Sequence, residues 1–533
     1  MFKNEKGETT LHIDTRLGEL TTGEPNVNEE KLKQALKAYN LKEALLTLSE
    51  LSKNIFNENI PEPFQKMGKT GMRHPAGLII AQFAIEYLAS VFIISGANDY
   101  KKESVKTKDN ILGLFNIYNN SLIQPVFLGN HLSTLLIPMY FVQLRSQFSP
   151  QDLFTRQWMI FSEMRKKTNN IFEDINKIIF DNTNLTIEEI SGISFSIFAY
   201  LIQNPLFNIG NLEGHTVESF KNLLTKEKID SFLNLYTATY SQIRELDQKL
   251  NPIDLKEYTK ARFNPLWKKP IIKLDENLFL APSLTAYTTA SFYGLFWWFD
   301  DYYREQSQKK QMDFRKYFGI LFENYAGEVL SDLYGESSLR KQIKYGLKGK
   351  KIDFTDWVVI KNDKAYLFEV KAYQFPLEVL QKGKSDDVRK QVIKKIVESI
   401  KQIYQRSQDI PKHKELSEFN KKVIIPIVVF YDLPFISTSP SLYKDDILKA
   451  LNGLDSKYNG IKDFKYYLMN IDELEDFYYC SDNIEIEDIF ENIKDNPAKG
   501  VNSEIIIHIK DKSRKNFLDR QFNKYLDDLV PEL

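Results

Sequence analysis

The residues best suited to chemistry in this sequence are an aspartate, a glutamate and a lysine in the stretch Lys351 to Tyr373, KIDFTDWVVIKNDKAYLFEVKAY. Two apolar runs, WVVI and AYLF, flank the polar tetrapeptide KNDK, a pattern that is typical of a β-hairpin. A turn centred between Asn362 and Asp363 places Asp356 directly opposite Glu369. Side chains at opposite positions have Cβ atoms about 4.5–5.5 Å apart, so one divalent cation can bridge both carboxylates.

A positively charged lysine side chain lies beside this predicted pair of carboxylates. Lys371 lies two residues after Glu369, and strand alternation puts both on one face while Val370 points into the core. Two hard carboxylates suit Mg²⁺ or Mn²⁺, which hold and polarise a phosphate and lower the pKa of a bound water. A neighbouring lysine orients that water and neutralises charge building on the phosphate.

The alternative interpretation of these three residues is a surface ladder of opposite charges on a half-exposed strand. The neighbours Leu367, Phe368 and Val370 are apolar on both faces, which favours a central strand. Charges on such a strand are buried unless a cleft opens beside them, so a functional site is the preferred interpretation.

The elements that must position the hairpin follow one another in the order α-β-β-β-α-β. Beyond them, the pattern predicts one more strand, two short helices, an alternating strand and a final helix, which together complete a mixed α/β domain over residues 311–533. The predicted core elements are a helix at 314–334, strands at 339–345, 356–360 and 365–371, a helix at 388–407 and a buried strand at 423–431, and the later strands are at 466–470 and 504–509.

This order and the D-x12-E-x-K spacing resemble the PD-(D/E)XK nuclease superfamily, which has the restriction-endonuclease-like fold, over residues 314–431. The resemblance implies that Asp356, Glu369 and the backbone carbonyl of Val370 ligate Mg²⁺ or Mn²⁺. It places Lys371 beside the attacking water, and it implies hydrolysis of phosphodiester bonds with DNA favoured over RNA. Thr355 stands where the family name has proline.

Two further acids bear on this site. Asp353 is the alternative first acid, but it lies three residues before Asp356 and therefore on the opposite face of a regular strand. Glu323 lies in the predicted first helix, where the resembled family often has a glutamate that helps to hold metal or water. The same helical face carries residues small enough to let the helix approach the sheet closely: Gly319, Ala326 and Gly327.

Local basic segments flank the candidate site and are expected to contact the phosphates of a nucleic acid, the alternative being ordinary solvated faces. One segment precedes the hairpin and the other forms a stripe on the following helix, next to Gln402, which matches a glutamine found in some related nucleases. The acidic segment 472–495 is expected to avoid nucleic acid and to meet a protein instead. The basic residues are Arg340, Lys341, Lys344, Lys348, Lys350 and Lys351 in the first segment, and Lys390, Lys394 and Lys401 in the second.

The region before residue 311 shows no motif with evident chemistry. Apolar residues recur at spacings of three and four, as at Leu41, Ala44 and Leu45, so residues 28–250 are predicted to be all-helical. They belong to a predicted, mainly helical recognition or partner-binding region at 1–310, which has one short hairpin at 271–281. The aromatic segment LFWWF at 295–299 is expected in a core or an interface. The polar segment 300–313 is the predicted domain boundary. The overall fold class is therefore α+β.

Composition limits the other possibilities. With 533 residues, of which 43% are hydrophobic, the chain is long enough for several domains, and 71 Lys and Arg against 72 Asp and Glu leave no global basic field for nucleic acid. The single cysteine, Cys480, excludes an intramolecular disulfide, and six scattered histidines argue against structural zinc. These features, and the lack of an apolar leader, predict a cytoplasmic protein. The apolar stretch 76–96 contains Gln82 and Glu86, which favours a buried helix over a membrane span.

The sequence thus predicts a metal-dependent endonuclease, and the two-part architecture resembles that of restriction and anti-phage defence nucleases. No phosphate-binding loop of the GxxxxGK[ST] type occurs. The alternative is a catalytically inactive nuclease fold that acts as a nucleic-acid-binding or scaffolding component. The intact set of Asp356, Glu369 and Lys371 favours the enzyme.

Overall fold

The chain has an α+β fold, seen in a computed structural model. Helices dominate the region before residue 310, and the largest sheet lies after it. The structure describes residues 2–3, 9–10, 33–34, 36–60, 65–66, 71–73, 79–100, 104, 113–115, 149–168, 171–214, 223–251, 263–341, 343–346, 351–374, 385–432, 440–455, 458–493, 501–510 and 514–529.

The helices of the first region are amphipathic and have good N-caps. In α5, for example, Thr186 caps the helix and Glu189 completes a capping box, so the first free N–H groups are satisfied. The helix α3 continues through a π-helical segment, Met159–Met164, and a last turn, Arg165–Lys167. The helices are α1 Leu41–Phe56, α2 Gln82–Ile94, α3 Pro150–Trp158, α4 Ile175–Thr183, α5 Ile187–Leu201, α6 Ile209–Gly214, α7 Lys226–Tyr236, α8 Tyr240–Leu250, α9 Leu284–Phe292 and α10 Leu295–Gln306.

Short strands accompany these helices, so the prediction that residues 28–250 are all-helical is wrong. The predicted hairpin at 271–281 is confirmed, with Ile272 opposite Leu280, but two more strands extend it to a four-stranded sheet in the order β6-β9-β8-β7. Runs of two or three residues are too short to give a clear alternation in sequence. The strands are β1 Phe2–Lys3, β2 Thr9–Thr10, β3 Gln65–Lys66, β4 Gly71–Arg73, β5 Ile79–Ala81, β6 Leu206–Phe207, β7 Thr237–Ala238, β8 Ile271–Lys273 and β9 Phe279–Leu280.

The polar residues of α2 are satisfied inside the protein. Gln82 exchanges hydrogen bonds with Ser52, whose hydroxyl donates to it over 2.7 Å, and Glu86 accepts from the Asn264 side chain over 3.2 Å. This agrees with the predicted buried helix. Of the helices that the structure describes, none combines the length and the apolar character needed to cross a bilayer.

The polar segment 300–313, the predicted domain boundary, is helical except at Ser307. The helix α10 ends at Gln306, and α11, Gln308–Tyr334, begins after a single residue. Asp300 is buried and accepts hydrogen bonds from Arg315 (2.6 Å) and Gln311 (2.8 Å). The sequence of this segment is polar throughout, which suggested a boundary between domains. In the fold, polar residues of the two helices hydrogen-bond to one another. The division of the chain at residues 310 and 311 stays a prediction.

After α11 the chain forms a five-stranded mixed sheet in the order β10-β13-β14-β15-β16. The strands β10, β13 and β14 are antiparallel, whereas β14, β15 and β16 are parallel. The predicted strand at 339–345 is in fact two strands, β10 and β11, and β11 pairs with β12 outside the main sheet. The strands are β10 Leu339–Lys341, β11 Lys344–Tyr345, β12 Ile352–Asp353, β13 Trp357–Lys361, β14 Lys364–Lys371, β15 Val423–Phe430 and β16 Tyr467–Asn470.

Helices cover both faces of this sheet. On one face, Tyr366 and Phe368 pack in the cluster that contains Phe322 of α11. On the other face, Ala365 and Leu367 pack in the cluster formed with α12. The α-β-β-β-α-β order is present, with the short β11 and β12 inserted. The remaining helices are α12 Ser385–Asp409, α13 Pro440–Asn452, α14 Ile471–Phe477, α15 Ile486–Ile493, α16 Val501–His508 and α17 Phe517–Leu529.

The predicted strand at 504–509 is wrong, because these residues belong mainly to α16. Glu504 and Ile505 are buried, whereas Ile506 and Ile507 are 66% and 60% exposed, so the buried face follows a helical spacing. The His508 ring lies 3.1 Å from Glu504, one turn away. Three consecutive isoleucines give no period that separates a strand from a short helix.

Candidate active site

The hairpin of β13 and β14 has the predicted register. Trp357 pairs with Phe368 and Val358 with Leu367, so the turn is centred between Asn362 and Asp363. Asn362 has a positive φ of 55°, which asparagine tolerates better than most residues and which suits a two-residue hairpin turn. Asp356 immediately precedes β13 and comes beside the end of β14, where its Oδ2 accepts a hydrogen bond of 2.7 Å from the Val370 N–H.

Glu369 and Lys371 lie on the sheet face that packs against α12. The Lys371 ammonium forms an ion pair with Glu369 Oε1 and donates a second hydrogen bond of 3.1 Å to Gln402 Oε1. The Glu369 side chain is 1% exposed and that of Lys371 is 29% exposed. Lys371 therefore connects a buried carboxylate to solvent.

One oxygen of Glu369, Oε2, is buried without a hydrogen-bond partner within the described part of the chain. A buried carboxylate oxygen without a partner loses its hydration and gains nothing in return, which is costly. Such an atom is well suited to a ligand that the protein alone does not supply.

The electrostatics of the pair reflect this cost. Burial, and then the nearby Asp356 carboxylate, raise the pKa of Glu369 to about 7, although Lys371 lowers it. Burial also raises the pKa of Asp356, against the lowering effects of Lys371 and of the Val370 N–H. Two carboxyl groups that resist ionisation together favour a shared proton or a shared cation.

The helix α12 supplies a residue that was not predicted, Arg406. Its charge lowers the pKa of Glu369, and its Nη1 donates a hydrogen bond of 3.0 Å to the Tyr345 hydroxyl. Tyr345 in turn donates to Asp409 over 2.6 Å. Arg406 lies four residues after Gln402, hence on the same side of the helix, and that spacing is the signal in the sequence that points to it.

Asp353 and Glu323 lie at the margin of the site. The Asp353 side chain is 63% exposed in β12 and lies 3.9 Å from Lys344, although its charge contributes to the raised pKa of Asp356. Glu323 lies 3.9 Å from the ammonium of Lys341, whose charge lowers the pKa of Asp356. Lys341 thus interacts with both Glu323 and Asp356.

Each of the two basic segments contains a lysine that lies over an aromatic ring and lysines that are exposed. Lys341 bonds to Asn324 and lies 4.9 Å above the Trp357 ring, and Lys401 lies 5.1 Å above the Tyr458 ring. Lys344, Lys351, Lys390 and Lys394 are exposed, and Arg340 donates to nearby backbone carbonyls. Lys348 and Lys350 lie outside the described residues.

The acidic segment 472–495 is not a free acidic face. Glu475 is buried in an ion pair with Arg156, and Glu487 is paired with Lys364. Lys361 lies 2.9 Å from Glu485, Lys465 lies 2.7 Å from Glu491, and Arg514 lies 2.7 Å from Asp482. The expected protein contact through this segment therefore gains no support from its charge.

A divalent cation fits the pair formed by Asp356 and Glu369. Among the described residues, no three or more histidines, cysteines or carboxylates are grouped around one point. Mg²⁺ needs no such group, because it keeps several waters and binds through one or two carboxylates. The unpartnered Oε2 of Glu369 and the hard oxygen donors of both side chains match that preference.

Comparison of the chain with protein-family models, with curated proteins and with solved structures gives no match. The site is therefore interpreted from its own geometry.

Proposed function

We propose that this protein is a metal-dependent nuclease with a restriction-endonuclease-like C-terminal domain, which hydrolyses phosphodiester bonds and acts on DNA in preference to RNA. The observation that carries the proposal is the buried Glu369, with its raised pKa and its unpartnered oxygen, directly beside Asp356 and Lys371. An exposed ladder of charges, the alternative interpretation, does not agree with a glutamate that is 1% exposed.

Asp356 and Glu369 would hold Mg²⁺ or Mn²⁺, together with the backbone carbonyl of Val370, which the family resemblance implies as a third ligand. When bound, such an ion polarises the scissile phosphate and lowers the pKa of a water nearby. Lys371 is the protein's own contribution: its ammonium can hydrogen-bond to the attacking water and stabilise charge that develops on the phosphate. Gln402 holds the Lys371 ammonium in place through its 3.1 Å hydrogen bond.

The substrate phosphates away from the reacting atom would be held by exposed lysines on both sides of this site. Lys344 on β11 and Lys390 and Lys394 on α12 are exposed residues. Each neutralised phosphate releases counterions, so binding should weaken as salt rises.

Cleavage of supercoiled plasmid DNA and of a long RNA by the purified protein, in Mg²⁺, Mn²⁺ or EDTA, tests the proposal. We expect cleavage with either metal and none in EDTA. Asp356→Asn and Glu369→Gln should each reduce the rate at least a hundredfold without unfolding the protein.

Asp353→Asn is the matched control, since it changes the same type of side chain three residues away and outside the pair. It should leave at least a third of the activity. Full cleavage by Glu369→Gln, or equal losses in the Asp353 and Asp356 variants, would contradict the proposed site.

A further inference from the structure

A cavity of about 360 Å³ lies in the helical region, between the end of α7, the segment before β8, and the helices α9 and α10. Its size is within the range of small-molecule sites, about 300–1,000 Å³. Three of the five tryptophans in the chain, Trp267, Trp297 and Trp298, line it. Two of them belong to the LFWWF segment that was expected in a core or an interface, and both are only half-buried.

The aromatic walls are held in place before any ligand arrives. Trp298 and Tyr302 stand one helical turn apart on α10, with ring centroids 5.5 Å apart and planes within 6° of parallel. The Trp267 indole N–H donates to the buried Glu86, which fixes that ring. Half-buried tryptophans fixed in this way supply flat contact area at little entropic cost, a property of binding sites rather than of cores.

The charged groups at the cavity are balanced. Lys268 is ion-paired with Asp301, which also accepts a hydrogen bond of 2.5 Å from Arg304. Lys269 donates to the carbonyls of Leu235 (2.7 Å) and Asn234 (3.1 Å), which leaves one of its three N–H groups for a ligand.

These pairings limit the chemistry of the ligand. The two lysines of the lining are balanced by its two carboxylates, Asp301 and Glu305, so the cavity has no net charge that would favour an anion or a cation. The exposed Glu305 carboxylate adds a hydrogen-bond acceptor beside the donor of Lys269. The lining therefore suits an uncharged flat ring whose edge carries both donors and acceptors.

We propose that this cavity binds a nucleobase, presented either by a free nucleoside or by an unpaired nucleotide of a single strand. Every base has a flat face for the indole rings of Trp297 and Trp298, and an edge with both donors and acceptors for Lys269 and Glu305. The apolar ring of a phenylalanine side chain has no such edge. This site is separate from the Asp356–Glu369 pair and does not depend on the nuclease activity.

Titration of the full-length protein with adenosine, guanosine, cytidine, uridine and a single-stranded hexanucleotide tests the proposal. Tryptophan fluorescence and calorimetry report binding, and the hexanucleotide is measured in Glu369→Gln without metal so that it stays intact. We expect saturable quenching. Trp298→Ala should weaken binding about tenfold or more, Glu305→Gln severalfold, and Trp298→Phe less than Trp298→Ala.

Tyr100→Ala is the matched control, since Tyr100 is 94% exposed and does not line the cavity. Binding of nucleosides identifies a free nucleoside as the source of the base, and binding of the hexanucleotide alone identifies a strand. The inference is overturned if neither probe binds at millimolar concentration. It is also overturned if Trp298→Ala, still folded by its melting temperature, binds as well as the parent.

Discussion

Glu369 has the environment of a residue kept for a ligand and not for stability. Its side chain is 1% exposed, it faces a second carboxylate, and one of its oxygens has no partner among the described residues. Its ion pair with Lys371 does not remove the cost of burial, because its pKa stays raised to about 7. A strained carboxyl pair of this kind loses free energy in the metal-free protein and regains it when a cation binds.

This leads to a pH prediction for the metal-free protein. Because the pKa of Glu369 is higher in the folded than in the unfolded state, its contribution to stability is full below about 4.5 and is lost as the pH rises through about 7. In Glu369→Gln that loss is absent, so at pH 8 the variant should be more stable than the parent by about 1–3 kcal/mol. Chemical denaturation from pH 5 to pH 8 measures the difference.

Glu398→Gln is the control for this comparison, because Glu398 is 47% exposed on α12 and its one ion pair among the described residues is with Lys395. Its stability should follow that of the parent across the same range. The affinity of the parent for Mg²⁺ should rise with pH through about 7, since the metal competes with a proton. A flat metal affinity would show that Glu369 is not a ligand.

Lys371 and the exposed lysines should act on different steps of the reaction. Lys371→Ala removes the group that we propose lies beside the reacting phosphate, so cleavage should slow by about 10²–10⁴-fold while DNA binding persists. Joint replacement of Lys344, Lys390 and Lys394 by Ala should instead weaken binding and reduce the slope of log affinity against log salt by about 1 for each lost contact. Measurements of DNA binding and of cleavage over a salt series separate the two effects. If the triple variant binds and cleaves DNA like the parent at every salt concentration, these lysines are only solvated.

At the scale of elements, the site depends on how closely α11 approaches the start of β13. A Cβ atom at Gly327 would lie 2.0 Å from Cζ2 of Trp357, the residue next to Asp356. The Trp357 indole N–H donates to the backbone carbonyl of Glu323 over 2.9 Å, which fixes the ring against the helix. The glycine therefore determines where the hairpin, and with it the first carboxylate, is held.

Two glycines of the same helix give a matched test of this packing. Gly327→Ala should destabilise the protein by about 1–3 kcal/mol, because Trp357 must move, and it should also weaken Mg²⁺ binding. Gly319→Ala, whose new Cβ meets nothing within 4 Å, should stabilise the protein by about 0.5–1 kcal/mol through helix propensity. Equal effects of the two substitutions on unfolding would contradict the close approach.

The same elements show what sequence can and cannot predict. The hairpin register can be predicted from neighbouring residues alone. Side chains alternate along a strand, and only one position for the centre of the polar turn pairs the two apolar runs with each other. The helix Val501–His508, where a strand was predicted at 504–509, and the split of 339–345 into two strands depend on distant partners, which a local pattern does not contain. Of the three predicted small residues on α11, Gly327 makes the close approach and Gly319 does not, a difference that only the packed structure reveals.

At the scale of the whole molecule, buried contacts connect the helical region with the sheet domain. The Tyr293 hydroxyl, at the end of α9, donates to the buried Asp432 over 2.7 Å, and its ring stacks on Tyr431. The Tyr431 N–H in turn donates to the backbone carbonyl of Lys371 over 3.0 Å. Since Gly294, the next residue, lines the aromatic cavity, the wall of that cavity and the strand that carries Lys371 are joined through Tyr293 and Tyr431.

A buried ion pair also connects the two regions. The Arg156 guanidinium on α3 and the Glu475 carboxylate on α14 form two hydrogen bonds, one of them 3.0 Å long, and their side chains are 7% and 1% exposed. The Tyr325 hydroxyl donates to the same carboxylate. Removing one member of such a pair leaves the other charge buried and without compensation.

Arg156→Ala should therefore destabilise the protein by about 3–5 kcal/mol. Lys167→Ala is the matched control: it removes a pair with Glu328 that also joins the helical region to α11, but whose side chains are 53% and 38% exposed, so it should cost less than about 1 kcal/mol. Denaturant unfolding followed by tryptophan fluorescence measures the stability of both variants.

The same experiment tests the domain division. If the two regions fold as one unit, Arg156→Ala lowers the denaturant midpoint of a single transition. A separate, earlier transition of the helical region alone would show that the chain divides near residue 310. An Arg156→Ala variant as stable as the parent would mean that the pair does not hold the regions together.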